Sequence, residues 1–466
     1  MSTTAPAGPP LKEPRSVRGI PLIGNTLDMA KDPAKFFVRC YREYGPVFRV
    51  TLVGTTYTVI AGAEAANFMN TREGRESLRS KESWEGLVNE YGATKTLTGV
   101  DGEVHNQLRT VMRHGYSKES IKGRYDELMA ITDQVLARDW RVGERVPVLQ
   151  AMQYIVTEQL GAMLVDQSPR EYVKDIRTTI LYILNVLVTR QRPRFLLKDP
   201  RYKRAKARVD ELGRKMIAEY EASVAAGTRD PAKRNLVDDI MEAHKRDPDL
   251  IAGSDLILNL TGPFVAGLDT VANTVSAFVY SVLKHPEVLE RVRREADALF
   301  AKDTLTEEDL KTIPSIDGAV METMRLYPIA VAQMRTATRD FEFSGHRIRE
   351  GELLFVATSV PHFMEEYFPN AEKFDIDRYQ RPRAEHLKPG VYSPYGRGPH
   401  VCLGKSLAEV QMSLTMARLF HRLELALDPP DYVLETKTAP TPGPSMKFSV
   451  RVRGERHPAR RVVSSP

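Results

Sequence analysis

The sequence predicts a mainly α-helical protein with a smaller β portion. Between about residues 103 and 325 the apolar residues recur mostly at helical spacing, interrupted at prolines. Strand patterns occur nearer the two ends of the chain, at residues 46–62, 340–357 and 446–452. Because no internal repeat and no linker divides the sequence, we expect one large domain over residues 26–455.

The elements follow in order from local patterns. Residues 1–25 are rich in proline and glycine and are predicted to form an extended lead-in. Residues 32–44 have helical apolar spacing, and the strand pattern after them alternates on both sides of Gly54, which predicts a β-hairpin. The later helices are expected to break at Pro169, Arg192-Pro193, Pro231, Pro248 and His285-Pro286. Residues 456–466 are predicted to form a basic C-terminal tail.

The composition excludes several classes of protein. The 466 residues carry a formal net charge of +6, with 42% hydrophobic and 27% charged residues, as in ordinary globular proteins. Two cysteines, Cys40 and Cys402, are too few for a disulfide scaffold and suit a reducing compartment. The first ten residues lack the basic start and apolar run of a signal peptide. We therefore expect a cytoplasmic protein.

Neither nucleic acid nor a membrane span is expected. The basic excess is mild for this length and lies partly at Arg451, Arg453, Arg456, Arg460 and Arg461. Without a helix-turn-helix, a zinc knuckle or a stacking platform, this charge favours an acidic protein partner over nucleic acid. The weakly charged stretch 256–283 is long enough to cross a bilayer, but its polar residues favour a buried helix and no membrane anchor.

Cys402 lies in the most informative segment of the chain. Gly396 and Gly398 precede it in a tight loop, and Gly404 begins an apolar helix after it. The unpaired N–H groups at a helix start favour a thiolate, and the glycines leave room for a flat group to approach the sulfur. A lone thiolate without further ligands at zinc spacing suits an iron porphyrin.

Three other interpretations of this segment stay open on the residues alone. The glycines could begin a dinucleotide-binding fingerprint, although Val401 stands where a third glycine is needed. Cys402 could be a small buried hydrophobic residue, or a catalytic nucleophile, although no supporting triad is evident.

The segment resembles the haem-binding loop of the cytochrome P-450 (P450) family, Phe-x-x-Gly-x-Arg-x-Cys-x-Gly. The loop residues here are Tyr395, Gly396, Gly398, His400, Cys402 and Gly404, with Tyr in place of Phe and His in place of Arg. The resemblance implies the single-domain P450 fold, with haem b (iron protoporphyrin IX) between a long central helix and the cysteine loop. It also implies Cys402 as the iron ligand, because Cys40 lies on a charged helix without a glycine loop.

Glu322 and Arg325 stand three residues apart on one predicted helical face. On the residues alone they could be a surface ion pair that stabilises the helix weakly. The resemblance implies instead a Glu-x-x-Arg pair that supports the haem loop, joined by Arg378 from the segment 376–379. Ile376 replaces the proline that the family has in that segment.

Asp269 is an unusual residue for a long apolar helix, since a buried carboxylate is costly unless it is paired or solvated. Gly267 and Thr270 are poor helix formers at the same place, which predicts a local opening of the helix toward a cavity. A satisfied polar kink is the alternative. The resemblance implies an oxygen-activation motif formed by Ala266, Gly267, Asp269 and Thr270.

Four further residues match the positions of haem-propionate ligands in the family: His105, Arg109, Arg335 and His400. Taken singly, each is more often a surface charge or a satisfied histidine. Two carboxylates at the edge of a porphyrin need several cationic donors if they are to be buried.

The resemblance implies a haem-thiolate monooxygenase that takes O2 and inserts one oxygen atom into a hydrophobic small molecule. We expect the enzyme to be a monomer that receives electrons from a separate ferredoxin or flavodoxin and its reductase. Basic residues near the loop could receive that acidic partner: Arg113, Lys118, Arg397 and Lys405. A peroxide-using or rearranging enzyme of the same fold is one alternative, and a non-catalytic haem sensor is another.

The expected substrates are fatty acids, terpenoids, steroids or polyketides, because the residues that correspond to the family's pocket are mostly apolar. These residues are Trp84, Leu87, Val88, Leu181, Ile183, Val186, Leu187, Phe264, Ile329, Val331, Met334 and Thr441.

Overall fold

A computed structural model describes residues 11–230 and 233–458. The predictions for residues 1–10, Pro231, Arg460 and Arg461 therefore lie outside the described residues, as does most of the predicted basic tail. The chain separates into two compact units. The first comprises Met1–Glu82, Ala330–Ala371 and Leu387–Val401, and the second comprises Ser83–Ile329, Glu372–His386 and Cys402–Pro466. The single domain over residues 26–455 stays a prediction.

The strands are short and mostly near the two ends of the chain. In order they are β1 (Arg15–Ser16), β2 (Val47–Leu52), β3 (Thr55–Ala61), β4 (Leu78–Arg79), β5 (Arg145–Pro147), β6 (Gln333–Ala337), β7 (Phe341–Phe343), β8 (His346–Ile348), β9 (Leu353–Ala357), β10 (Leu423–Leu427), β11 (Thr436–Lys437), β12 (Gly443–Pro444) and β13 (Ser449–Glu455).

The helices fill most of the interval between them. In order they are α1 (Thr26–Lys31), α2 (Pro33–Tyr44), α3 (Ala63–Phe68), α4 (Arg72–Ser77), α5 (Lys81–Glu90), α6 (Gly102–Met112), α7 (Lys118–Ile121), α8 (Tyr125–Asp139), α9 (Val148–Leu160), α10 (Val173–Ile183), α11 (Pro200–Ala225), α12 (Leu236–Arg246), α13 (Leu256–Lys284), α14 (Pro286–Phe300), α15 (Pro314–Leu326) and α16 (Lys405–Arg422). Single π-helical segments extend α9 (Gly161–Val165) and α10 (Leu184–Val188). The predicted mainly α-helical class is confirmed.

The first unit is built on a six-stranded sheet with the order β1-β2-β3-β9-β6-β4. The predicted hairpin is confirmed: β2 and β3 are antiparallel, and Val53 and Gly54 turn between them with φ of 47° and 80°. A φ above zero costs little only for glycine, which explains Gly54 at the turn. The predicted first helix is confirmed as α2, whose N-cap Asp32 accepts a hydrogen bond from the Lys35 N–H at 3.0 Å.

Of the strands that the sequence analysis missed, β6 and β10 are the longest, with five residues each. The sequence analysis assigned part of β6 to the substrate pocket and predicted no strand there. Buried and partly buried residues do not alternate along it. It forms because β9 and β4 pair with it on its two sides, which is a tertiary effect that local propensity does not register. β10 follows α16 without a proline or glycine between them, so the helical pattern gave no sign of the strand.

The second unit is organised around the 29-residue helix α13. Helices α9, α11, α12 and α15 pack against it, and most of its residues are buried. The predicted break at Pro286 is confirmed, since α13 ends at Lys284 and α14 begins at Pro286. Within the described residues, no helix is long and apolar enough to cross a membrane.

Candidate active site

The glycine loop before Cys402 is shaped by the first unit. Gly396 and Gly398 have φ of 75° and 78°, which other residues rarely adopt. Gln333 on β6 holds the loop, because its Oε1 accepts from the Arg397 N–H at 2.9 Å and its Nε2 donates to the Arg397 carbonyl at 3.3 Å. Asn70 Oδ1 accepts from the Gly398 N–H at 3.0 Å. Neither amide was found by sequence analysis, because both are distant in sequence from the loop.

Cys402 is exposed and stands just before α16, whose N-cap is Gly404, as predicted. Desolvation of the sulfur raises the pKa of the Cys402 thiol, while the Gly404 N–H and the Arg109 charge act to lower it. The N–H group at the helix start therefore lowers the pKa of the thiol, which is the predicted direction. Desolvation has the larger effect, so the pKa of the Cys402 thiol in the protein alone lies above its ordinary value.

Cys40 has a different environment. It is 1% exposed on α2, and burial raises its pKa to about 11. Of the two cysteines, only Cys402 presents its side chain to solvent.

Arg397 does not offer the solvated charge that the sequence analysis expected. Its Nε donates to Ser393 Oγ at 2.8 Å and its Nη2 to the Tyr392 carbonyl at 2.7 Å. Burial lowers its pKa. By contrast, Arg113, Lys118 and Lys405 are exposed.

Glu322 and Arg325 form a fully buried cluster, so the surface ion pair is the wrong alternative. Both side chains are 0% exposed, and Arg325 donates to the Glu322 carboxylate through Nε at 2.7 Å and Nη2 at 2.8 Å. Arg378, also 0% exposed, donates to the same carboxylate at 3.1 Å and to Glu385 at 3.0 Å. The Tyr379 hydroxyl donates to Glu322 at 2.7 Å. The structure thus brings the three predicted residues together.

Asp269 is 4% exposed on α13 and is held by residues from distant segments. The Thr441 hydroxyl donates to one carboxylate oxygen. Gln153 Nε2 and Lys437 Nζ approach the other at 3.4 and 3.5 Å. Thr270 is exposed, and its hydroxyl donates to the Ala266 carbonyl at 2.7 Å. Lys437 and Gln153 are positions that sequence analysis missed.

The predicted opening of the helix at Gly267 was wrong, because α13 continues through it. A Cβ on Gly267 would lie 2.6 Å from Leu160 Cδ1, so the glycine leaves room for this leucine where α9 packs on α13. The polar residues nevertheless find partners: Thr270 donates to the preceding turn, and Asn273 Nδ2 donates to the Asp269 carbonyl at 2.7 Å.

The four candidate propionate ligands fall into two pairs. His105 and Arg109 lie one turn apart on α6, where His105 is 1% exposed and Arg109 is half-buried. Burial lowers the pKa of Arg109. Arg335 and His400 belong to the first unit, with Arg335 7% exposed on β6 and His400 half-buried in the loop with Tyr395. Each pair thus offers one arginine and one histidine that are at least partly withdrawn from water, and such donors suit carboxylates.

The candidate pocket residues are only partly brought together. Those that meet in one apolar cluster of the second unit, with Trp84 packed against it, are Leu87, Ile183, Val186 and Leu187. Val88 and Phe264 are buried, whereas Leu181 and Ile329 are half-buried.

The other candidates lie elsewhere. Val331 and Met334 pack against a different cluster, in the first unit. Thr441 contacts Asp269.

Comparison with known proteins supplies the family. The family model for cytochrome P450 matches residues 14–448. The chain is 26% identical to putative cytochrome P450 120 of Synechocystis, over 93% of this chain and 95% of that protein. It is also 26% identical to the sterol 14alpha-demethylase of Mycolicibacterium vanbaalenii, over 88% and 91% of the two chains. The taxane 10-beta-hydroxylase of Taxus cuspidata is 22% identical, over 95% and 90%.

Solved structures are similar in fold. The retinoic acid bound cyanobacterial CYP120A1 has a TM-score of 0.81 at 23% identity, covering 96% of this chain and all of that one. The haem domain of cytochrome P450DA has a TM-score of 0.82 at 22% identity, covering 97% and 99%.

Proposed function

The chain belongs to the cytochrome P450 family of haem-iron monooxygenases, and we propose that it inserts one oxygen atom from O2 into a hydrophobic small molecule. The substrate class we propose is a fatty acid, terpenoid, steroid or polyketide. The relatives named as a sterol demethylase and a taxane hydroxylase support apolar ring systems within that range. The single observation that carries the proposal is the position of Cys402, an exposed residue at the start of α16.

The residues present fit a haem, which we propose to be haem b. Cys402 offers one sulfur, which accepts a hydrogen bond from the Gly404 N–H. Its pKa is raised in the protein alone, and a metal cation is the partner that would favour the thiolate. We propose His105, Arg109, Arg335 and His400 as the groups that hold the propionates. When bound, the haem iron would activate O2 with electron density supplied by the thiolate.

The proton path that we propose uses two neighbouring residues of α13. Because successive residues of a continuous helix lie about 100° apart, Asp269 and Thr270 point in different directions. Thr270 Oγ1 has one proton and two lone pairs, so it can hold a water in the space where it is exposed. The Asp269 carboxylate, whose neighbour Lys437 is partly exposed, would take protons from solvent and pass them toward that water.

Electrons would come from a separate ferredoxin or flavodoxin and its reductase. The exposed Arg113, Lys118 and Lys405 support an acidic partner, whereas Arg397 is withdrawn from this role because its guanidinium is bonded within the loop. We also propose that the enzyme acts as a monomer in the cytoplasm. The two free cysteines support this compartment, because thiols stay reduced there.

The experiment that tests this function compares Thr270→Ala with Thr270→Ser. With substrate, electron donors and O2 supplied, Thr270→Ala should consume nicotinamide at near the original rate but release hydrogen peroxide in place of oxidised product. Thr270→Ser keeps the hydroxyl and should retain most of the coupling. The measurement is the ratio of product to nicotinamide consumed. Unchanged coupling in Thr270→Ala would contradict the proton path.

The substrate class is tested by the spin state of the haem. A library of apolar compounds should contain members that shift the absorption of the oxidised enzyme from low to high spin. If only charged or strongly polar compounds did so, the proposed class would be wrong.

A further inference from the structure

Two histidines and one carboxylate meet in the second unit, and none of them belongs to the candidate active site. Asp297 lies on α14, His421 lies in the last turn of α16, and His457 follows the end of β13. His421 Nδ1 lies 2.9 Å from Asp297 Oδ1, and His457 Nε2 lies 3.4 Å from the same oxygen. One potential ligand atom of each residue lies within 4.8 Å of those of the other two. Three segments that are distant in sequence thus converge on one point.

The imidazole rings of His421 and His457 are stacked. Their centroids are 4.2 Å apart and their planes differ by 4°. Two imidazolium cations would repel each other at this separation, so at least one ring is neutral. Burial acts in the same direction, because desolvation lowers the pKa of His421 to about 4. A neutral imidazole is the form that binds a metal ion.

The surrounding residues hold the three side chains in place. Arg456 Nη2 donates to Asp297 Oδ2 at 2.8 Å, and Arg456 Nη1 donates to the Phe420 carbonyl at 2.7 Å. Arg422 Nε donates to the His457 carbonyl at 2.7 Å. The longer contact of Arg456, 3.2 Å to Asp297 Oδ1, is the one that a metal ion would replace. Carboxylates that bind a metal are themselves commonly hydrogen-bonded, which fixes their orientation.

We propose that Asp297, His421 and His457 bind a divalent transition-metal ion, of which Zn²⁺ fits best. Imidazole nitrogens combined with a carboxylate oxygen suit Zn²⁺, whereas Mg²⁺ and Ca²⁺ prefer oxygen ligands alone. Ligand atoms about 2.0–2.2 Å from a tetrahedral ion lie about 3.3–3.5 Å apart, which matches the 3.4 Å between His457 and Asp297. The side chains of Asp297 and His457 are 34% and 43% exposed, so water can supply the fourth ligand.

Positive charge nearby limits the affinity. Arg456 pairs with Asp297, and Arg293 interacts electrostatically with both. We therefore expect a dissociation constant for Zn²⁺ that is roughly micromolar, weaker than that of closed sites with four protein ligands. A bound ion would join the chain that follows β13 to α14 and α16. The proposal stands or falls separately from the proposed function, because none of these residues takes part in it.

Zinc titration of the untagged holoenzyme against a chelating dye tests the site. One saturable Zn²⁺ per protein is expected. His457→Ala, which alters a partly exposed side chain, should weaken binding by at least about a hundredfold, and Asp297→Asn by at least about tenfold. The matched control is His346→Ala, which removes a partly exposed histidine of β8 and should change the affinity by less than about threefold. Equal affinities of His457→Ala and the original protein, or no saturable binding, would overturn the proposal.

X-ray absorption at the zinc edge identifies the ligands, because the haem iron does not absorb at that edge. The spectrum of the zinc-loaded holoenzyme should show nitrogen and oxygen neighbours at about 2.0–2.2 Å with the outer scattering of imidazole. His457→Ala should lose part of that outer scattering at the same zinc content, and His346→Ala should keep all of it. A sulfur neighbour at about 2.3 Å would place the ion on a cysteine and would overturn the proposal.

Discussion

Glu322 and Asp269 are both buried carboxylates on helices of the second unit, yet their surroundings differ. Glu322 is 0% exposed and receives donors at 2.7 to 3.1 Å from Arg325, Arg378 and Tyr379. Asp269 is 4% exposed, and its cationic partner Lys437 lies 3.5 Å away with a partly exposed side chain. The two carboxylates thus differ in the charge and exposure of the groups that hold them. Glu322 is locked by buried charged groups, whereas Asp269 is held more loosely, by two neutral donors and one partly exposed lysine, which suits the proposed proton path.

The largest expected effect comes from Glu322→Gln. The substitution would leave Arg325 and Arg378 buried without a full countercharge, which costs about 3–5 kcal/mol of unfolding free energy. Urea unfolding would measure the loss, and the haem absorption relative to protein absorption would fall with it. A loss below about 1 kcal/mol with full haem content would show that the cluster is not needed to support the loop.

Asp269→Asn should cost much less, about 1 kcal/mol, because an amide can keep the hydrogen bond from Thr441 and Lys437 can turn toward solvent. The same unfolding measurement applies, with a slower proton-dependent step and an altered solvent isotope effect as the second readout. If Asp269→Asn destabilised the protein as much as Glu322→Gln, the distinction between a locked and a loosely held carboxylate would fail.

Asp317 is a further, partly buried carboxylate of the second unit, and its effect on the free energy of unfolding should depend on pH. Burial raises its pKa to about 6, and the Ser413 hydroxyl donates to it at 2.7 Å. Because the folded-state pKa lies above the ordinary value of 3.8, the ionised carboxylate opposes folding above pH 6 and this cost disappears as the pH falls toward 3.8.

Asp317→Asn should therefore stabilise the protein by about 1–2 kcal/mol at pH 8 and by almost nothing near pH 4. Thermal unfolding of both proteins across this range would measure the difference. A gain that did not change with pH would come from packing and would contradict the assignment to charge.

The smallest effect is expected at Asp377, which is adjacent to Arg378 but faces solvent. It pairs with Arg291 at 2.7 Å, with side-chain exposures of 50% for Asp377 and 31% for Arg291. Because exposed ion pairs contribute little, Asp377→Asn should change the unfolding free energy by less than about 0.5 kcal/mol. It is the matched control for Glu322→Gln, and a larger loss would mean that the whole segment, rather than the buried cluster, is sensitive.

The sequence predicted those parts of the site that depend on short spacing. Glu322 and Arg325 are three residues apart, and Asp269 and Thr270 are adjacent, so local patterns were sufficient to find them. Lys437 and Gln153 were missed because they are 168 and 116 residues from Asp269, and only the fold brings them close.

Some local patterns were misleading because tertiary packing decided the outcome. Gly267 suggested a weak point in α13, but its missing side chain is what admits Leu160. The strand β6 was overlooked because its pairing partners, not its own residues, determine its conformation. The helix class was predictable because periodicity extends over long segments, while close contacts between distant segments leave no periodic signal.

Cys402 is assigned as the only cysteine that ligates the haem iron, and carbon monoxide tests this assignment most directly. Cys40→Ser and Cys402→Ser should be prepared in parallel, reduced and exposed to carbon monoxide, and their absorption spectra compared. We expect Cys40→Ser to keep the red-shifted band of the thiolate-ligated carbonyl complex, because Cys40 is buried with a pKa of about 11. Cys402→Ser should lose that band entirely. A Cys402→Ser protein that kept the band, or a folded Cys40→Ser protein that lost it, would contradict the assignment.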